Sequence, residues 1–92
     1  MRAVEFVMER FPDYAGLARR LYLRSEHFRF SCEEFAMSLE SLRHFEARKD
    51  AGERPEIAEY RSLLREIEDE LLALLEAEAR LPDDNGSQGK LD

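Results

Sequence analysis

Between His27 and Phe35 the chain reads HFRFSCEEF, placing an imidazole, a thiol and two carboxylates (His27, Cys32, Glu33, Glu34) close together. Such groups bind zinc, supply nucleophiles or carry protons. A zinc site needs three or four ligands, and one helix brings side chains together at separations of three or four. His27 and Cys32 are five apart, and there is no second Cys. Glu40 and His44 are four apart, but Arg43 stands where the Glu-x-x-His motif of bundle di-metal sites needs its histidine. We therefore expect no metal and no other cofactor.

A nucleophilic thiol needs a base nearby and an electropositive setting. Glu33 and Glu34 are negative and work against it. Cys32 also falls on an apolar stripe, where a free Cys behaves as a small hydrophobe. A buried core thiol is the first expectation. A thiol- or ligand-dependent sensor at Cys32, with His27 or His44 brought in by the fold, is the alternative. No catalytic residues emerge, so the chain is not expected to be an enzyme.

Arg19, Arg20, Arg24 and Arg29 lie near Tyr14, Tyr22 and Phe28. Interleaved arginines and aromatics can stack bases and grip phosphates. They also line ordinary helices whose stems cover apolar surface. The net charge of −7 disfavours nucleic acid as a general partner, so binding by the Arg19–Arg29 face is a minor alternative. The four glycines are isolated at 16, 52, 86 and 89, so no phosphate-cradling loop is present.

The charge is uneven. Residues 1–30 carry six Arg against four acids, and residues 31–92 carry eight Lys/Arg against seventeen acids. The plain reading is a solvated acidic helix face. The functional one is pairing between a basic N-terminal part and an acidic C-terminal part, within or between chains.

The elements that position these groups are helices. The chain is 38% charged with only 4 Gly and 3 Pro, the composition of amphipathic helices. Val4, Val7, Met8 and Phe11 mark a first helix over Ala3–Arg10, ended by Pro12. A second is expected from Pro12 to about Arg24, with Pro12 near its first position and Asp13 in its first turn. One kinked helix is the alternative to two. The third begins at Ser25 or at Ser31, whose Ser-x-x-Glu34 spacing fits a capping box, and runs to about Lys49. Phe28, Cys32, Phe35, Leu39 and Leu42 form its stripe, which Phe45 widens. Gly52 offers a left-handed helix end and Pro55 a helix start.

The fourth helix, 55–81, is the strongest pattern. Ile57, Tyr60, Leu64, Ile67, Leu71 and Leu74 repeat at 3-4-3-4-3, a coiled-coil seam. A short turn makes helices 26–49 and 55–81 an antiparallel hairpin. The N-terminal pair is expected to be too short to cover it. A homodimer would then close the association seam formed by these six residues with Phe35, Leu39 and Leu42.

The expected fold is all-α, with one helical domain over 1–81 and a disordered tail over 82–92. No apolar run is long enough for a membrane span, and Glu5 and Glu9 interrupt any secretory signal. One free thiol suits a reducing compartment, so a cytoplasmic protein is expected. The general look resembles small bacterial helical proteins, which implies nothing about activity. The expected function is a non-enzymatic interaction or regulatory module, acting as a homodimer, with another protein as the alternative partner.

Overall fold

The structure is a computed structural model that describes residues 2–48, 50, 52 and 54–81. The tail expected over 82–92 lies outside these residues. The fold is all-α: α1 (Arg2–Arg10), a 3-10 turn (Pro12–Tyr14), α2 (Ala15–Arg24), α3 (Glu26–Glu46) and α4 (Pro55–Arg80). No strand occurs among the described residues.

Pro12 separates the first two helices. Phe11 leaves the helical region (φ −127°, ψ 69°), as a residue before proline does. Its amide still donates to the Val7 carbonyl at 2.9 Å, closing α1. Pro12 opens a 3-10 turn rather than α2 itself, and α2 starts three residues later than expected, at Ala15.

A single residue joins α2 to α3. Ser25 is extended (φ −119°, ψ 115°), and its amide donates to the Leu21 carbonyl at 2.8 Å to end α2. Its Oγ accepts the Phe28 amide at 3.1 Å and caps α3. The capping box at Ser31 is not used: Ser31 lies buried inside α3, because Ser25 has already started the helix.

The hairpin ends depart slightly from expectation. α3 stops at Glu46 rather than near Lys49. Gly52 supplies no left-handed end, since no described residue has a positive φ; Ala47 closes α3 in a right-handed conformation, its amide donating to the Arg43 carbonyl at 3.1 Å. Asp50 accepts from Arg48 Nε at 3.2 Å and Arg54 Nε at 3.1 Å. Pro55 opens α4 as expected, and Leu81 turns extended (φ −72°, ψ 145°) ahead of Pro82.

α3 and α4 pack along each other in opposite directions. Phe45 stacks on Tyr60 near the turn, at 5.8 Å and 26° between rings. Arg61 Nη2 donates to Glu46 at 2.8 Å beside them. Towards the other end, His27 Nε2 meets Glu70 at 2.8 Å. The N-terminal segment lies on this hairpin as a third, broken member. Its ion pairs step along the hairpin: Arg2 to Glu40 at 3.8 Å, Arg10 Nε to Glu68 at 2.9 Å, and Arg24 to Glu78.

One core joins all four helices: Val4 and Val7, then Ala18, Leu21 and Tyr22, then Phe28, Cys32, Phe35 and Leu42, and finally Ile57, Leu64, Ile67, Leu71 and Leu75. α1 packs on both α2 and α3, and α2 packs on α3 and α4, so the N-terminal pair covers more of the hairpin than two short helices were expected to. α4 is buried from Ile57 to Leu75 within one chain. No described helix is long and apolar enough to cross a membrane.

Candidate functional site

α3 sorts the HFRFSCEEF stretch onto two faces. Phe28, Ser31, Cys32 and Phe35 turn into the core, while His27, Phe30, Glu33 and Glu34 are exposed. The cluster that looked chemical in sequence is therefore divided by the 100° step of the helix.

Cys32 is 0% exposed. Burial pushes its thiol up to about 12, and the Glu33 charge adds to this. At neutral pH the sulfur stays protonated among apolar neighbours, the opposite of an activated nucleophile. His27 is engaged with Glu70, and the His44 ring sits edge-on to Phe45 at 5.7 Å. No group of three potential metal ligands forms among the described residues.

The seam residues all point inward to some degree. Ile57, Leu64, Ile67 and Leu71 are buried, and Phe35 and Leu42 meet them from α3. Leu39, Tyr60 and Leu74 are half-buried at the edge of the core. Leu75, rather than Leu74, is fully buried near the C-terminal end of α4. These side chains fill a core made by one chain.

The arginine cluster also divides. Arg24 pairs with Glu78. Arg29 Nη1 donates to the Tyr22 carbonyl at 2.6 Å, and its guanidinium lies 5.8 Å from the Tyr22 ring centre. Tyr22 and Phe28 are buried, so they offer no stacking platform to a base. Arg19 and Arg20 remain exposed on α2.

The structure adds a feature that the apolar periodicity does not carry. Leu23, Phe30 and Met37 are large apolar side chains 68%, 61% and 68% exposed. They lie outside the stripe through Phe28, Cys32, Phe35, Leu39 and Leu42. The signal for them was that mismatch: large apolar residues at positions where an amphipathic helix usually carries polar ones.

Shallow concavities mark the surface of the described residues. One of about 390 Å³ lies between Leu21, Phe28, Leu74 and Leu81 at the α2–α3 corner. Another of about 460 Å³ is lined by Met37, His44, Phe45 and Tyr60. A third, about 440 Å³, lies beside Phe30 with Glu26, His27 and Glu33. Compared with known protein families, curated proteins and solved structures, the chain matches none.

Proposed function

We propose that the chain is a non-enzymatic protein–protein interaction module that works as a homodimer in the cytoplasm. One observation carries this reading: Leu23, Phe30 and Met37 stay on the outer surface near the α2–α3 corner, and Leu63 and Leu81 are the other large apolar side chains exposed among the described residues. Burying exposed apolar area between chains is the main force of association. The Ile57–Leu74 seam is an unsuitable contact, because its residues already pack on the chain's own helices. Association of folded chains uses the outer faces instead.

A sensor built on Cys32 gains no support from a thiol that is buried and held protonated. The reducing compartment is supported by that same single free thiol.

The test is absolute mass by light scattering over a wide concentration range. The expected mass rises from the single-chain 10.8 kDa towards twice that value. A mass that stays at one chain up to millimolar concentration would overturn the homodimer.

A further inference from the structure

We infer that the homodimer forms by laying the outer face of α2 on the outer face of α3 of a second copy, with each chain contributing both faces. The inference rests on the homodimer reading and gives it a surface. α2 exposes Gly16, Arg19, Arg20 and Leu23. α3 exposes Phe30, Glu33, Glu34 and Met37. Both sets follow the spacing 0, 3, 4, 7 that defines one face of a helix. Run antiparallel, they match position by position. Leu23 meets Phe30, Arg20 meets Glu33, Arg19 meets Glu34, and Gly16 leaves room for Met37.

Three observations support a second copy as the occupant. The two faces are complementary in charge, one basic and one acidic. All eight residues are exposed, so the faces do not satisfy each other inside one chain. None of Arg19, Arg20, Glu33 and Glu34 takes part in an ion pair among the described residues. The corner also has the right sense. α2 runs into Ser25 and α3 runs out of it, so a two-fold axis through the corner sets α2 antiparallel to α3 of the partner. With the axis beside the first turn of α3, between Glu26 and His27, residues equally far from it pair, and every contact occurs twice. The concavity of about 440 Å³ beside Phe30 lies where Leu23 of the second copy arrives. Gly16 has open space above it, with nothing within 4 Å of an added Cβ.

Two turns on each of two helices make a small interface, at the low end of those that hold specific complexes. The dimer is therefore concentration-dependent and weakened by salt.

Charge exchange tests the pairing on the full chain. R19E/R20E makes both faces acidic, and E33R/E34R makes both basic. Each variant alone should dimerise roughly tenfold more weakly or worse than the original chain, by light scattering or analytical ultracentrifugation. An equimolar mixture of the two restores both contacts and should recover the dimer, as should the quadruple variant alone. Circular dichroism checks that each variant folds. Should a charge variant fail to fold, L23S read in the same way replaces it and should weaken the dimer. A dimer unchanged by these substitutions, or folded variants whose mixture stays monomeric, would overturn the pairing and leave the homodimer standing on some other surface. A wild-type chain that is monomeric throughout would overturn the homodimer itself, and a different protein captured by the Phe30–Met37 face would then be the reading to take up.

Discussion

At the scale of single residues, the fold makes Cys32 unreactive by surrounding it. A thiol reagent should label it only at the rate at which the native protein opens, and at full speed in denaturant. Labelling of the native protein near the rate of a free thiol would contradict the burial. A pH dependence follows from the same cause. In the unfolded chain the thiol ionises near its ordinary 9.0, while in the fold it holds its proton to about 12. Between those values the unfolded state binds fewer protons, so stability falls as pH rises through that window and is untouched below it. Urea midpoints measured on both sides of pH 9 should therefore drop more steeply for the original chain than for C32A. Ser25 gives a second residue-scale outcome. Its Oγ caps α3, so S25A should cost about 1 kcal/mol in a urea titration. Glu34→Ala should cost much less, because no capping box operates at Ser31.

At the scale of elements, the α4 stripe sets the ranking of its leucines. Leu71→Ala and Leu75→Ala should each destabilise by about 3 kcal/mol in chemical denaturation, since both side chains are completely enclosed. Leu74→Ala should cost clearly less, being half-exposed. The heptad in the sequence ranks these two the other way round. A strict 3.5-residue repeat drifts by roughly 20° per heptad against a 3.6-residue helix, so the buried line moves on by one residue over the length of α4. The hairpin, its turn and the break at Pro12 were legible, because proline stops and long apolar stripes are local signals. The reach of the N-terminal segment was not. Two short helices look inadequate until α1 is folded onto both α2 and α3, a packing that brings together residues far apart in sequence, as Arg10 and Glu68, 58 residues apart, show. The candidate site was legible only in part. The sequence marked Cys32 as core, and it offered pairing of the basic and acidic parts only as the alternative to a solvated acidic face; the exposure of Phe30 and Met37 depends on which side of α3 the other helices occupy.

At the scale of the molecule, folding and association separate. The inter-helix pairs of Arg2, Arg10, Arg24 and Arg61 have guanidinium groups at least half exposed, and such pairs contribute little. Raising salt should therefore leave the melting temperature of the chain nearly unchanged while it loosens the dimer. A melting temperature that falls steeply with salt would show that these pairs hold the bundle together. Leu64→Asp is the converse case. It places an unpaired charge among Ile57, Ile67 and the α3 stripe, so it should abolish the fold and its helical circular dichroism rather than merely release a dimer. A folded Leu64→Asp monomer would show that this part of α4 is not core.

The broken N-terminal member has a consequence for how the chain is made. α1 and α2 are made before α4, and the α4 residues that they pair with, Glu68 and Glu78, are synthesised more than 50 residues later. Until then Val4, Val7, Ala18 and Leu21 have only each other and α3 to settle on, and the α3 stripe lacks Leu64, Ile67 and Leu71. The contacts among α1, α2 and α3 are local enough to form before α4 is complete, and α4 then closes the core over them. The three helices before Pro55 thus carry a half-covered core while α4 is being made, and the apolar stripe of α3 is where a chaperone would find the chain exposed.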